Sequence, residues 1–187
     1  MEYGEVVLTT KEGEKTGAAF FKGKTNRAAV FVPGAVFNKE SWFFLARPLQ
    51  LLGISSLSLD KRRPYAVISA IGFIKDKGLN SISLVGGSMG GGAILSALEQ
   101  MTDQHVDRIA LLAPYGGSPV TSRKTDKLFI VAKEDALGLY PHVRSLYGNS
   151  SDPKIIKEYK GQEHAQHLFN GEHKEHLTRL IVDFISA

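Results

Sequence analysis

Gly86-Gly87-Ser88-Met89-Gly90 sets a serine between an apolar run, Ser81-Ile82-Ser83-Leu84-Val85, and a helical one, Ala93-Ile94-Leu95-Ser96-Ala97-Leu98. A serine on a strand-to-helix hairpin is forced into a strained backbone conformation, with its hydroxyl exposed at the top of a sheet. Gly86 and Gly90 must then pass so close that a side chain on either would clash. The serine would also stand at a helix N-terminus, whose free N–H groups favour developing negative charge. A phosphate-cradling loop is the other use of such glycines. The pattern Gly-x-Gly-x-x-Gly cannot be aligned through residues 86–92, and no lysine follows to complete Gly-x-x-x-x-Gly-Lys-Ser/Thr.

A serine hydroxyl is a poor nucleophile until a base takes its proton, and the base must be a histidine held in the right tautomer by a carboxylate. In an open parallel sheet such groups collect at the carboxyl ends of the strands. After the apolar run Leu128–Ala132 come Lys133-Glu134-Asp135-Ala136-Leu137; after Ile155–Lys160 come Gly161-Gln162-Glu163-His164-Ala165. The order is serine, acid, histidine, each at a strand end. Glu134 competes with Asp135 as the acid, and the offset after the strand favours Asp135. His167 competes with His164. The pairs His164-x-x-His167 and His173-x-x-His176 bring imidazoles near one another, but neither carries the glutamate of His-Glu-x-x-His, and the chain has no cysteine. No metal site is therefore expected. His173 and His176, flanked by Glu172, Lys174 and Glu175, read as a solvated helix face; His105 and His142 fall in polar connections.

These groups need a scaffold. Val6–Thr9 and Ala18–Phe21 flank the polar stretch Lys11–Lys15 and predict an antiparallel hairpin. Ala28–Val32, Ile54–Asp60, Ser81–Val85, Val106–Ala113, Leu128–Ala132 and Ile155–Tyr159 read as further strands, the last more polar and so nearer an edge. Ser41 can cap a helix through Trp42, Phe43, Leu45, Leu49 and Leu52, stopped by Gly53. Pro64 opens a second helix carrying Val67, Ile68, Ile71 and Ile74, with Gly78 at its end. Leu177, Leu180, Ile181, Phe184 and Ile185 form an amphipathic C-terminal helix. Phe31, Trp42 and Phe43 read as core. Strands alternating with helices imply a mostly parallel sheet covered on both faces, and the hairpin adds an antiparallel edge. The segment Pro114–Asp126 lacks helical periodicity and reads as a loop crossover.

The chain resembles the α/β-hydrolase family in its small, lidless, serine esterase-like form, of the dienelactone hydrolase and carboxylesterase kind. Three motifs carry the resemblance over almost the whole length: Gly86-Gly87-Ser88-Met89-Gly90 is similar to the nucleophile elbow, Ala132-Lys133-Glu134-Asp135 to Gly-x-x-Asp, and Gly161-Gln162-Glu163-His164-Ala165 to the Gly-x-x-His-Gly/Ala turn. The resemblance implies an α/β-hydrolase fold without a cap domain, with Ser88 as nucleophile, Asp135 as orienting acid and His164 as general base. A fourth stretch, Val32–Trp42, resembles the His-Gly oxyanion loop, with Pro33 in place of the histidine. It implies backbone N–H donors from Ala35, or alternatively Val36, and from Met89, each worth on the order of 3 kcal/mol in a transition state.

Bulk composition agrees with one domain over residues 1–187. Hydrophobic residues make up 43% and charged residues 22%, and the net charge of +4 is too small and scattered for a nucleic-acid face. Lys61-Arg62-Arg63 and Arg123-Lys124 with Lys127 read as solvated loop charges. There is no long apolar span, and Met1-Glu2-Tyr3-Gly4-Glu5 lacks the character of a signal peptide, so a cytoplasmic protein with no membrane partner is expected. The expected activity is hydrolysis of a small soluble carboxylic ester through an acyl-enzyme, without cofactor or metal. Phe37, Tyr115, Leu137 and Phe169 are the candidate pocket walls. The same three residues could instead run thioester hydrolysis, acyl transfer or perhydrolysis, or the fold could serve as a non-catalytic binding module. Oligomeric state is not encoded in any feature of the sequence.

Overall fold

A computed structural model describes residues 2–10, 13–101 and 106–187. Lys11 and Glu12 of the expected hairpin turn, and His105, lie outside the described residues. The strands are β1 (Gly4–Thr9), β2 (Lys15–Phe21), β3 (Arg27–Val32), β4 (Ser55–Leu59), β5 (Ser81–Gly87), β6 (Arg108–Leu112), β7 (Asp126–Ala132) and β8 (Lys154–Tyr159). They form one sheet in the order β1-β2-β4-β3-β5-β6-β7-β8. The pairs β1/β2 and β2/β4 are antiparallel, and every later pair is parallel. The hairpin thus adds its antiparallel edge as expected, and polar β8 forms the other edge.

The helices are α1 (Phe43–Leu51), α2 (Pro64–Asp76), α3 (Met89–Gln100), α4 (Tyr140–Asn149) and α5 (Lys174–Ser186). The chain passes from β3 to β4 on one side and then returns past β3 to β5 on the other. Right-handed crossovers therefore put α1 on one face, where it packs against α5, and α2 with α3 on the other. The reversal between β3 and β5 is a topological switch point, and the crevice outside the carboxyl ends of the two strands is where open sheets of this kind bind ligands. Residues 113–125 link β6 to β7 without a helix, as the sequence predicts. The sheet is buried at its centre: every residue of β4 is buried, as are Ala28–Val32 of β3 and Ile82–Gly87 of β5. No helix among the described residues is long and apolar enough to cross a membrane.

Four sequence expectations need correction. Helix α4 replaces the polar connection expected around His142; its sequence is mostly polar because Val143 and Leu146 alone are buried, with Tyr140 and Tyr147 packed partly against the core. Ser41 does not cap α1. It lies in a 3-10 turn, Lys39–Trp42, and its hydroxyl donates to the Asn38 carbonyl at 2.6 Å. Lys127 is not a solvated charge: it is 1% exposed, and its Nζ donates to the carbonyls of Ser122 and Thr125, both at 2.7 Å. Burial lowers its pKa from the ordinary lysine value. His173 and His176 do not simply face solvent. His173 Nε2 donates to the Lys160 carbonyl at 2.8 Å, and the Tyr159 hydroxyl and His176 Nδ1 share a hydrogen bond of 2.8 Å. Both rings lie against Tyr159, at 4.6 and 5.8 Å between centroids. This clasp fastens the end of β8, and the loop that follows it, to α5.

Gly72 lies inside α2, where a Cβ would meet open space, so Gly72→Ala should raise stability by about 0.5–1 kcal/mol in urea unfolding. A Cβ on Gly86 would lie 2.8 Å from the backbone of Gly90, so Gly86→Ala should lower stability by about 1–3 kcal/mol in the same measurement. Burial pushes the Tyr159 hydroxyl up to about 12. A group whose pKa is raised by folding stabilises fully below its unfolded value, near 10, and the contribution is lost as pH rises toward 12. Ultraviolet titration should therefore show a tyrosine ionising last in the wild type and missing from Tyr159→Phe, which should also lose less stability than wild type between those pH values.

Candidate active site

Strand β5 ends at Gly87 and helix α3 begins at Met89, so the chain reverses direction through Ser88 alone. Its backbone lies at φ 51 and ψ −121, a conformation that side-chain-bearing residues rarely adopt and that costs on the order of 1–3 kcal/mol. Surrounding backbone hydrogen bonds hold it there. The Ser88 N–H donates to the Leu112 carbonyl at 2.8 Å, and its carbonyl accepts from the N–H groups of Tyr115 at 3.0 Å and Gly92 at 3.1 Å. The glycines around it permit close approach. A Cβ on Gly90 would overlap the Val32 carbonyl at the end of β3, and one on Gly92 would overlap the Tyr115 carbonyl beyond β6. The start of α3 is thereby drawn onto the ends of two strands.

The acid and the histidine arrive from β7 and β8. His164 Nε2 lies 2.8 Å from Ser88 Oγ, and its Nδ1 lies 2.8 Å from Asp135 Oδ2. The Asp135 side chain is fully buried, and its other oxygen, Oδ1, accepts from the N–H groups of Leu137 at 3.0 Å and Leu139 at 3.3 Å. A carboxylate whose two oxygens are each engaged cannot swing away. Facing Nδ1, it keeps the proton on that nitrogen and leaves the Nε2 lone pair to accept the Ser88 hydroxyl. Glu134 points elsewhere and accepts the Gly161 N–H at 2.9 Å. His167 lies against the Phe37 ring, 5.1 Å between centroids, outside this chain of hydrogen bonds. Of the alternatives the sequence leaves open, the geometry brings Asp135 and His164 together with Ser88.

Beside Ser88 runs the loop after β3. The Phe37 N–H donates to the Gly34 carbonyl at 3.1 Å, which makes Ala35 and Val36 the inner residues of a tight turn. Their N–H groups find no acceptor among the described residues. Met89 opens α3, so its N–H lacks the carbonyl that a residue deeper in the helix would have. Free backbone donors therefore come from the two segments that the sequence names. A cleft of about 460 Å³ opens over Ser88, lined by Gly34, Ala35, Val36, Phe37, Ala136, Leu137 and residues 162–167.

Two expected pocket walls, Phe37 and Leu137, line the cleft; the other two do not. Phe169 is 6% exposed and packs on Phe44 at 4.8 Å and Trp42 at 6.1 Å, in the core, because the 3-10 turn Ala165–Asn170 directs it inward. Tyr115 is 61% exposed and lies outside the cleft lining; its backbone, rather than its ring, serves the site by holding the Ser88 carbonyl. Sequence reasoning missed Gln166, a buried residue of the cleft lining, and it read Arg62 as a solvated loop charge, whereas Arg62 Nη2 donates to the Phe37 carbonyl at 2.9 Å. Nothing in the sequence marks either, beyond Gln166 following His164 by two positions.

No protein-family model and no curated protein matches this sequence. Solved structures do match in shape. The esterase domain of a Rhodothermus marinus protein superposes with a TM-score of 0.80 at 14% identity, covering 100% of this chain and 98% of its own. An esterase from Exiguobacterium antarcticum gives 0.76 at 13% identity, with 97% and 99% covered. Dienelactone hydrolase from Anabaena variabilis gives 0.78 at 15% identity, with 98% and 96% covered. At such identities the likeness is one of fold, and it extends from end to end. With an eight-stranded, mostly parallel sheet, an antiparallel N-terminal hairpin and a serine at the turn from β5 into α3, the chain has the α/β-hydrolase fold.

Proposed function

We propose that this chain is a serine hydrolase that cleaves small, uncharged carboxylic esters through an acyl-enzyme intermediate. The observation that carries the proposal is the unbroken hydrogen-bond chain from Ser88 through His164 to Asp135, built at a positive-φ turn. Ser88 Oγ attacks the ester carbonyl while His164 Nε2 takes its proton. The carbonyl oxygen becomes an oxyanion beside the N–H groups of Met89 and of Ala35 or Val36. Asp135 stabilises the imidazolium without taking its proton. The imidazolium then protonates the leaving alkoxide as the carbon–oxygen bond breaks, and Ser88 is left acylated. Water, deprotonated by His164, attacks the acyl carbonyl; the carboxylic acid departs and Ser88 regains its proton. Asp135, His164 and water complete the cycle without any other reactant.

The cleft favours an uncharged acyl group. Ala35, Val36, Phe37, Ala136 and Leu137 make apolar walls, and Val36 and Leu137 are widely exposed. The direct link from β6 to β7 leaves no chain to form a cap there. Both features suit a short ester that enters from open solvent.

On p-nitrophenyl acetate and butyrate, Ser88→Ala and His164→Ala should each lower kcat by about 10⁴-fold or more, and Asp135→Asn by about 10³- to 10⁴-fold. Equal rates for wild type and Ser88→Ala would remove the proposal. Leu137→Asp places a charge on the apolar wall. It should raise KM for the butyrate several-fold while leaving kcat for the acetate nearly unchanged, and a change in the opposite sense would assign the wall another role.

A further inference from the structure

We infer that Gln166 is a positioning residue that ties the oxyanion loop to the segment carrying His164; the inference rests on the hydrolase proposal above. Gln166 is 4% exposed and carries a neutral amide, an expensive group to bury unless each end is bonded. Both ends are. Its Oε1 accepts the Gly34 N–H at 2.7 Å, and its Nε2 donates to Ser41 Oγ at 2.9 Å. The amide orientation follows from chemistry. The Gly34 N–H can only donate, and the Ser41 hydroxyl already gives its proton to the Asn38 carbonyl, so it must accept from Nε2. One side chain thus grips the loop after β3 at both ends of residues 34–41.

The path of that side chain is also built for it. A Cβ on Gly87 would lie 3.0 Å from Gln166 Cγ, so the residue before Ser88 leaves the room through which the amide reaches Gly34. The same bond occupies the Gly34 N–H. That donor is engaged, and the next two N–H groups, on the cleft-lining residues Ala35 and Val36, have no acceptor among the described residues. Arg62 holds the outer side of the loop through the Phe37 carbonyl, and Lys39 anchors its far end on Asp60 at 3.1 Å. Beside the ring contact of Phe37 with His167, the hydrogen bonds among the described residues that join the loop to the segment bearing the base come from Gln166, two residues from His164. Without its amide, the Gly34–Phe37 turn would lose its fixed distance from Ser88, while Ser88, His164 and Asp135 would keep all their own hydrogen bonds.

The consequence is a defect specific to the oxyanion. Gln166→Met keeps the volume and loses both hydrogen bonds; Gln166→Glu keeps an acceptor toward Gly34. With p-nitrophenyl butyrate, Gln166→Met should lose about 30-fold or more in kcat, a fraction of what removing a whole oxyanion donor costs, with KM within threefold of wild type. Its affinity for a trifluoromethyl ketone, which forms an oxyanion on Ser88, should fall in parallel, and the acid limb of the pH–rate profile should not move. Gln166→Glu should regain a substantial part of the lost kcat. Thermal unfolding of each variant, followed by circular dichroism, establishes that the assay temperature lies below the transition. Gln166→Met within threefold of wild type in kcat, or a shifted acid limb with unchanged ketone affinity, would overturn the inference and leave the hydrolase proposal standing. A wild type that turns over none of the esters and forms no ketone adduct would overturn both.

Discussion

A serine at positive φ between a strand and a helix is stable only where its surroundings leave it no alternative, and the upper face of this protein is organised around that constraint. Ser88 gives its N–H to Leu112 and takes two N–H groups on its carbonyl, so the strained residue is bonded on both sides of its Cα. Close packing completes the restraint. Gly86 and Gly90 meet backbone to backbone, and Gly90 and Gly92 lie against the ends of neighbouring strands at distances that exclude a Cβ. The strain of order 1–3 kcal/mol is carried by the fold as a whole. What it yields is a hydroxyl raised clear of the sheet, at the end of a helix whose first N–H groups are unpaired.

The other functional groups reach that hydroxyl because of strand order. β3 and β5 are neighbours although β4 lies between them in sequence, so the loop after β3 runs directly alongside Ser88. β7 and β8 lie farther along the same parallel run and deliver Asp135 and His164 from their carboxyl ends. β8 is an edge strand and therefore the least restrained of the four. Its end compensates with specific contacts: Tyr159 is held between His173 and His176, Lys160 is bonded to His173, and Gln166 reaches back to Gly34. The histidine loop is thus tied at its base and at its far side, and this keeps Nε2 at 2.8 Å from Ser88 Oγ.

Much of this was legible in the order of residues. The elbow announces itself because glycine is required at fixed offsets from the serine, and Asp135 and His164 because apolar runs end just before them. The strands and the larger helices show in their apolar periodicity, and β8 in the polarity of an edge. What escaped were features with a weak local pattern. Helix α4 buries only Val143 and Leu146, too few to set up a helical stripe. Lys127 and Gln166 are polar residues whose burial is made acceptable by hydrogen bonds to backbone groups, from the loop just before β7 for Lys127 and from Gly34, far away in sequence, for Gln166, and no pattern of residue types records them. Phe169 escaped because the 3-10 turn Ala165–Asn170 turns its ring into the core, and the direction of that turn depends on the loop's attachment rather than on its composition.

The central claim is that Ser88 is a nucleophile made reactive by His164. Peptide mapping by mass spectrometry after exposure to a fluorophosphonate tests it most directly. The account predicts a single adduct on the peptide containing Ser88, formed readily by wild type and nearly abolished in His164→Ala although that variant remains folded. An adduct on another residue, or labelling of Ser88 that is as fast without the imidazole as with it, would contradict it.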